Sequence, residues 1–379
     1  MKVTGIICEY NPLHNGHKKQ IDHIRSTGSA VVCLMSGSFV QRGAPAIFDK
    51  SLRAKAAILG GADLVLELPV TYALSSAEGF AAGGVRILSG FCDELSFGSE
   101  TGTVQSLMQT AEMLLSPEFS HALRAQLDSG LSFPAARQAA MEALGADASL
   151  LENPNDILAV EYCKAILSQK SSMQPAPIRR EGSYHNKLPD LANPSATAVR
   201  ELIAGKHDWK SCIPKASQAA FEGAAEHTLS YGEGAMLARL RTMTEADFAA
   251  LPYGSEGLWR KLMHSVRSCA TLDEILTATK SKRYTRTRLD RMVMCAFLGI
   301  TKEMLETPSP YTRVLGFNDT GREILKKARL NGAFPHVGEA VDDPYWALEQ
   351  RCDDLYGLFA ATPSPAGQES KRRVYIHKA

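Results

Sequence analysis

A chain of 379 residues is longer than one hydrophobic core usually supports, so two domains are expected. Hydrophobic residues make up 45% and charged residues 22%, which is ordinary globular usage and excludes a disordered chain. The net charge of +1 excludes binding of a polyanion through the field of the whole molecule, so only local clusters of lysine and arginine could bind one.

The eight cysteines are scattered without a CxxC pair, which argues against a zinc site and against a disulfide framework. Reduced thiols and no protein-bound structural metal are therefore expected. Nowhere do 18 apolar residues follow one another, and no long apolar segment opens the chain. A cytoplasmic protein without a membrane partner is the expectation.

Short apolar runs alternate with amphipathic stretches through the first hundred residues. Strands are predicted at residues 3–8, 30–35, 62–68 and 94–97, and helices at 17–26, 50–59 and 76–88. This alternation predicts an α/β fold with a Rossmann-like, doubly wound parallel sheet. Lys50, Arg53 and Lys55 are interpreted as the exposed face of the second helix.

Beyond residue 103 the pattern turns mainly helical, and Asn155 and Asp156 are placed to cap a helix over residues 157–167. Residues 173–193 are expected to be extended or loop, and Ser195 to begin a helix that runs through Ile203. We place a domain boundary near residue 205. Residues 206–379 are predicted to form a second, mainly α-helical domain.

The most informative stretch runs from Gly5 to His17 and consists of a strand, a turn and the start of a helix. His14, Gly16 and His17 form an HxGH pattern at the turn. A helix N-terminus offers unpaired N–H groups and a partial positive charge to phosphates, and adjacent imidazoles can donate to phosphoryl oxygens. Gly16 lacks a Cβ, so an adenine ring can approach the backbone there. Open α/β sheets bind ligands at such a turn.

Residues 5–17 resemble the HIGH-type nucleotidyltransferase superfamily, and further motifs narrow the resemblance. They are YNPLHNGH at 10–17, MSGSFVQRG at 35–43, ELP at 67–69 and FGSE at 97–100. Together they resemble the bacterial tRNA(Met) cytidine acetate ligase family over roughly the first three hundred residues. The resemblance implies an ATP-binding catalytic domain over residues 1–205 and tRNA binding by residues 206–379.

The resemblance also implies a reaction. ATP and acetate form acetyl-adenylate and pyrophosphate, and the acetyl group then moves to N4 of the wobble cytidine of elongator tRNA(Met) while AMP leaves. ATP is thus a substrate, accompanied by Mg²⁺. The sequence has no P-loop, catalytic triad or metal-ligand cluster, which suits chemistry that depends on positioning and charge neutralisation.

The resemblance implies His14 and His17 as catalytic residues within a larger ATP site. That site consists of Ile7, Cys8, Glu9, Tyr10, Asn11, Pro12, Leu13, His14, Asn15, Gly16, His17, Lys18, Lys19 and Gln20, with Gly102, Asn155, Arg179 and Arg180. Arg179 ranks before Arg180 because its distance from Tyr184 and His185 fits the family pattern, although both stay open.

Two further places are candidates for contact with phosphate or tRNA. Arg42 follows a strand end, where the alternative is a turn with a solvated side chain. Ser195, Thr197 and Arg200 resemble a motif that holds phosphates at another helix start, although Ser195 could equally be an ordinary N-cap.

A basic segment over residues 280–291 is the predicted tRNA contact, and its alternative is a solvated charge run. It contains Lys282, Arg283, Arg286, Arg288 and Arg291, and Asp290 is the only carboxylate within it. An apolar stripe through residues 289–300 should leave Arg288 and Arg291 on the exposed face of a helix, where they could contact the RNA backbone.

Two other functions remain open from the sequence. One is a small-molecule nucleotidyltransferase of the same superfamily, although a helical, basic extension is not typical of such short chains. The other is a nucleotide-sensing RNA-binding protein without chemistry, which only a turnover measurement distinguishes.

Overall fold

The computed structural model of the chain describes residues 1–179, 193–330, 335–336 and 344–378. The elements up to residue 179 are, in chain order, β1 (Val3–Cys8), α1 (Asn15–Ser26), β2 (Ala30–Ser36), β3 (Phe39–Val40), β4 (Ala44–Pro45), α2 (Lys50–Leu59), β5 (Leu64–Leu68), α3 (Val70–Ala73), α4 (Ala77–Leu88), β6 (Glu94–Ser99), α5 (Val104–Leu115), α6 (Pro117–Asp128), α7 (Phe133–Ala143), α8 (Pro154–Ser168) and β7 (Gln174–Arg179).

The second part is mainly helical. Its elements are α9 (Ala196–Ala204), α10 (Lys215–Gln218), α11 (Leu229–Thr242), α12 (Glu245–Ala249), α13 (Leu258–Ser268), α14 (Leu272–Thr279), α15 (Arg286–Leu298), α16 (Lys302–Glu306), β8 (Thr312–Phe317), α17 (Asp319–Leu330), β9 (Pro335–His336), α18 (Pro344–Tyr356) and β10 (Tyr375–Ile376). None of the helices within the described ranges is long and apolar enough to span a bilayer.

The main sheet has the strand order β10-β8-β5-β2-β1-β6-β7, and β9 pairs with β8. Strands β5, β2, β1, β6 and β7 run parallel. Since β1 pairs with β2 on one side and with β6 on the other, the strand order reverses at β1. The crevice beyond the carboxyl ends of β1 and β6 is therefore the switch point at which such sheets bind ligands.

Hydrophobic side chains cover both faces of this sheet. Val32 and Leu34 of β2 belong to a cluster with α4, α5 and α8, whereas Val31 and Cys33 belong to a cluster with α1 and α2. A third cluster lies among α11, α13, α14, α15 and α18. The predicted doubly wound α/β fold with a mainly helical C-terminal part is confirmed.

The C-terminal part also returns to the sheet, which the sequence pattern did not predict. Strand β8 runs antiparallel to β5, and β10 pairs in parallel with β8. The hydrogen bonds between β5 and β8 thus join residues on the two sides of residue 205. The domain boundary at that residue remains a prediction.

Two local predictions from the sequence were wrong. Helix α8 begins at Pro154 with Asn153 at its N-cap position, so Asn155 and Asp156 lie inside its first turn rather than before it. Lys50 and Arg53 do not form an exposed face, because they are 1% and 0% exposed.

Arg53 contacts four backbone carbonyl groups. Its Nε donates to Phe48 O at 2.9 Å, its Nη1 donates to Glu9 O at 2.6 Å and to Ser36 O at 3.0 Å, and its Nη2 donates to Gly37 O. Glu9 follows β1, and Ser36 and Gly37 lie at the end of β2. One side chain of α2 thus joins the carboxyl ends of two neighbouring strands.

We predict that Arg53→Met lowers the free energy of unfolding by at least about 3 kcal/mol, because several buried carbonyl groups lose their donor. Lys55→Met on the same helix is the matched control. Lys55 is only half-buried, and its replacement should cost less than about 1 kcal/mol. Urea unfolding measures both variants, and equal losses in the two would contradict this role for Arg53.

Candidate active site

A cleft of about 590 Å³ opens at the carboxyl ends of β1 and β6. The start of α1, residues 154–162 of α8, the end of β7 and the loop residues 41–42 and 193–194 also line it. The lining residues that were predicted as site residues are Ile7, Cys8, Glu9, Tyr10, Asn11, His14, Gly16, His17, Lys19, Gln20, Arg42, Asn155 and Arg179. The structure therefore brings residues from distant parts of the chain to one place.

His14 and His17 cap the N-terminus of α1 reciprocally. His17 N donates to Nδ1 of His14 at 3.4 Å, and His14 N donates to Nδ1 of His17 at 3.3 Å. The two rings stack with their centroids 3.6 Å apart. Since each Nδ1 accepts a hydrogen bond, the proton of each neutral ring lies on Nε2. Both imidazoles are thereby set as Nε2–H donors beside a helix N-terminus.

Gly16 lies between these histidines, and its lack of a Cβ matters for the rings. A Cβ there would lie 3.1 Å from Cε1 and 3.2 Å from Nδ1 of His14. Any larger residue would press on the His14 ring that caps the helix. Gly16 therefore makes room for this ring, besides the room for adenine that was inferred from the sequence.

The turn that leads from β1 to α1 is held from several sides. Tyr10 is buried with a φ of 43°, a conformation that is strained for a bulky residue. The Asn11 side chain accepts from Ile47 N at 2.7 Å, and its backbone carbonyl accepts from Nη1 of Arg200 at 2.8 Å. These contacts order the backbone before the two histidines.

One wall of the cleft is apolar. It contains Ile7 of β1, Phe97 of β6, Leu158 and Tyr162 of α8, and Ile178 of β7. The rings of Phe97 and Tyr162 lie 5.4 Å apart. Sequence reasoning missed the two α8 residues, although their spacing of four marks one face of a helix. A flat heterocycle could pack against this surface.

The turn after β6 is fixed by Asp156 at the start of α8. Its carboxylate accepts from Glu100 N at 2.9 Å, from Thr101 N at 3.3 Å and from the hydroxyl groups of Thr101 and Ser99. In return, Glu100 accepts from Asp156 N at 3.0 Å and from the Asn155 side chain. The structure gives Asp156 this supporting role, whereas the sequence suggested a simple cap.

The charged side chains that line the cleft are mostly positive. Lys19, Arg42 and Arg179 line it, and Glu9 is the one acidic residue among its described lining. Such a lining attracts a polyanion such as a triphosphate.

Five of the residues predicted for the ATP site do not line the cleft. Leu13 is fully buried, Lys18 forms an ion pair with Asp22, and Asn15 donates to Ser211 O at 3.0 Å. Pro12 and Gly102 are the other two. Gly102 supports the β6 turn, since its N–H donates to the Ser99 hydroxyl at 2.8 Å. Arg180, Tyr184 and His185 lie outside the described residues.

A second cavity of about 420 Å³ adjoins the first, and the two share Glu9, Asn11, His14, His17, Arg42 and Ala196. Ser195, Thr197 and Arg200 line the second cavity. Ser195 caps α9 by accepting from Ala198 N at 3.1 Å, and Arg200 donates to the Thr197 hydroxyl at 3.1 Å. The ordinary capping role of Ser195 therefore holds, and the residue also faces a cavity.

The basic segment differs from its prediction in two ways. Arg283 pairs with Glu256 at 2.9 Å, and Arg286 pairs with Asp273 at 2.9 Å as well as with Asp290 at 3.1 Å. Acidic residues that are distant in sequence thus reduce its charge.

Arg288 and Arg291 are not on an exposed face of α15. Both are half-buried: Arg288 donates to Tyr253 O at 2.8 Å, and the Arg291 guanidinium lies 5.1 Å from the centre of the Tyr253 ring. Residues 292–298 of this helix are buried without a break, so the C-terminal half of α15 is embedded rather than amphipathic. Lys282 and Arg283 remain exposed.

The loop that carries Arg42 packs directly on α15. Gly43 has a φ of +74°, and a Cβ there would lie 2.5 Å from Arg291 N. No other residue fits this close approach without a shift of the backbone. The basic segment and the cleft are thereby connected through residues 41–43.

The fold and the HxGH turn define a nucleotidyltransferase of the HIGH type, and the family model described as HIGH Nucleotidyl Transferase matches residues 1–371. Two relatives named tRNA(Met) cytidine acetate ligase cover 99% of this chain and 100% of their own length. The one from Clostridium acetobutylicum is 36% identical over 405 residues, and the one from Acetivibrio thermocellus is 35% identical over 419. The chain belongs to the tRNA(Met) cytidine acetate ligase family.

Solved structures agree with this assignment. Thermotoga maritima TmcAL bound with alpha-thio ATP has a TM-score of 0.89 and 29% identity, with 100% of both chains covered. The apo form of the same protein has a TM-score of 0.92. The family match extends to residue 371, beyond the roughly three hundred residues over which the motifs support the resemblance.

We predict that Asp156→Asn lowers the free energy of unfolding at pH 7 by about 2–4 kcal/mol, because the amide loses a charge-assisted acceptor and turns a donor toward N–H groups. Burial alone would raise the pKa of Asp156, but hydrogen bonds from Ser99 and Thr101 bring it below its usual value of 3.8. The ionised form therefore stabilises the fold above about pH 4, and this stabilisation is lost as the pH falls through the lowered pKa.

Chemical unfolding at pH 7 and at about pH 3 measures this difference, which should shrink at the lower pH. Asp128→Asn, on the exposed end of α6, removes the same charge as a control and should leave stability within about 0.5 kcal/mol. A deficit for Asp156→Asn that does not change with pH would contradict the account.

Proposed function

We propose that the protein activates acetate with ATP as acetyl-adenylate and transfers the acetyl group to N4 of the wobble cytidine of elongator tRNA(Met). The observation that carries this proposal is the cationic cleft at the HxGH turn, in a chain that matches ligases of this name over 99% of its length. ATP, acetate and tRNA meet in the cytoplasm, which is the compartment that the proposal assigns.

In the first half-reaction, the adenine of ATP packs on the apolar wall and the triphosphate lies at the N-terminus of α1. An acetate oxygen attacks the α-phosphorus, and pyrophosphate leaves. The Nε2–H groups of His14 and His17, together with Arg179 and Lys19, stabilise the charge that develops on the phosphoryl oxygens. The site works by positioning, so no covalent enzyme intermediate is needed.

Mg²⁺ enters as part of the MgATP substrate. No group of three or more His, Cys, Asp or Glu residues suited to a metal is found in the described ranges. Magnesium in phosphate chemistry is commonly held by the phosphates, by water and by one or two carboxylates. Glu9 is the one such carboxylate along the described cleft lining, so the ion would depend mainly on its nucleotide ligands.

In the second half-reaction, the cytosine N4 attacks the acyl carbonyl and AMP leaves. The anticodon must approach through the mouth of the joined cavities, where Arg42 is exposed. Lys282 and Arg283 are also exposed, and they shortly precede α15, the helix on which residues 41–43 pack. RNA phosphates would contact the protein along this route.

The first experiment is chromatography of the spent nucleotide, in which acetate-dependent AMP and pyrophosphate are expected.

His17→Asn keeps an acceptor at the position of Nδ1 for the helix cap but removes the Nε2–H donor. We predict an adenylation rate about 10²–10³ times lower, as for loss of an oxyanion donor. His121→Ala, on the exposed face of α6, is the control. In the chromatography of the wild-type reaction, accumulation of ADP would contradict acyl-adenylate chemistry. ATP binding without turnover would favour a nucleotide-sensing RNA-binding protein.

A second prediction concerns tRNA. The double variant Lys282→Ala, Arg283→Ala should bind tRNA more weakly, and its slope of log affinity against log salt should be shallower by about one to two units. Activation of acetate should persist. Lys326→Ala, Lys327→Ala removes two exposed charges from α17 and should change neither quantity. Unchanged affinity and slope in the first variant would show that Lys282 and Arg283 are only solvated surface residues.

A further inference from the structure

Glu9 stands out chemically in the active site. Among the described residues that line the two joined cavities it is the only carboxylate, and the other ionisable groups there are mostly lysine, arginine and histidine. It also belongs to the few residues that line both cavities, together with His14 and His17. A negative charge is thus fixed at the junction of two otherwise basic spaces.

The position of Glu9 is well defined by its neighbours. Its backbone carbonyl accepts from Nη1 of Arg53 at 2.6 Å, and its Oε1 accepts from Gln41 N at 2.9 Å. No described residue donates to Oε2. The side chain is only half-buried, so this second oxygen is available to a substrate in the cavity.

A carboxylate is unsuited to bind a triphosphate, because like charges repel at short range. It is well suited to a group that donates hydrogen bonds. Of the substrates in the proposed reaction, only the acceptor base brings such a donor to the reacting centre, namely the exocyclic amine of cytosine. Carboxylates accept hydrogen bonds from this amine when proteins recognise cytosine.

We propose that Oε2 of Glu9 binds the N4 amine of the acceptor cytosine and serves as its general base. This inference rests on the proposed function and deepens it. As the N4 lone pair forms a bond with the acyl carbon of acetyl-adenylate, one N4 proton passes to Glu9. The bond between the acyl carbon and the phosphate oxygen then breaks, and AMP leaves with that electron pair. Glu9 later releases the proton to water.

The same contact discriminates between bases. Uridine has a carbonyl oxygen in place of the amine, and that oxygen would face the carboxylate without a proton between them. Such an unpaired contact is costly in a partly desolvated site. Glu9 therefore contributes to the choice of cytidine as well as to the transfer step.

Glu9→Gln and Glu9→Ala together separate this role from a structural one. Glutamine can still accept from Gln41 N through its amide oxygen, but it can neither take a proton nor attract the amine as a carboxylate does. Alanine loses the contact with Gln41 as well. The readouts are acetate-dependent exchange of pyrophosphate into ATP, tRNA affinity, and the single-turnover rate of acetyl transfer from preformed acetyl-adenylate to tRNA.

We expect Glu9→Gln to lower the single-turnover transfer rate by about 10²–10⁴-fold and the exchange rate by a much smaller factor. Glu9→Ala should lose transfer at least as severely. A wild-type transfer rate in Glu9→Gln would overturn the proposal. If Glu9→Ala were defective in that case, the role of Glu9 would be only to hold the loop at Gln41. Equal losses of exchange and transfer in Glu9→Gln would also overturn it, because Glu9 would then serve activation. Absence of acetate-dependent exchange in the wild-type protein would instead reject the proposed function itself.

Discussion

The active site depends on a buried guanidinium group. Arg53 is 0% exposed and donates to carbonyl groups of Phe48, Glu9, Ser36 and Gly37, at the ends of two adjacent strands. A buried charge is tolerated only where its hydrogen-bonding capacity is used, and the planar fork of arginine can reach several acceptors at once. Through Glu9 this contact sets the point where β1 ends, and hence where the turn with His14 and His17 begins.

A second buried group of charges ties the end of the chain to the same region. Lys50 contacts Glu67 at 2.6 Å and Glu369 at 2.8 Å, while Arg372 pairs with Asp49 at 2.7 Å and with Asp353 at 2.9 Å. Burial alone would raise the pKa of Asp49, but Arg372 lowers it to about 2, so the pair stays ionised near neutral pH. The C-terminal segment thereby supports α2 and, through Lys50, the neighbouring strand β5.

Local patterns in the sequence predicted much of this structure. The observed bounds of β1 and α2 equal those predicted from the apolar run at residues 3–8 and the helical spacing at residues 50–59. The position of the HxGH turn followed from its place after the first strand. Long-range partners could not be predicted: Lys50 and Arg53 seemed to be surface residues because their acceptors lie elsewhere in the chain. Glu256 and Asp273 likewise reduce the charge of Arg283 and Arg286 across 27 and 13 residues. That Glu9 is the one carboxylate among the described residues of both linings could be seen only once the two cavities were known.

The proposed reaction joins acetate to one particular cytidine of tRNA. Mass spectrometry of nucleosides can detect this product after the purified protein has been incubated with ATP, ¹³C-labelled acetate and unmodified elongator tRNA(Met). Labelled N4-acetylcytidine is expected at the wobble position, and none when that cytidine is replaced by uridine. Consumption of ATP without labelled acetylcytidine, or label at other positions of the tRNA, would contradict the proposed reaction.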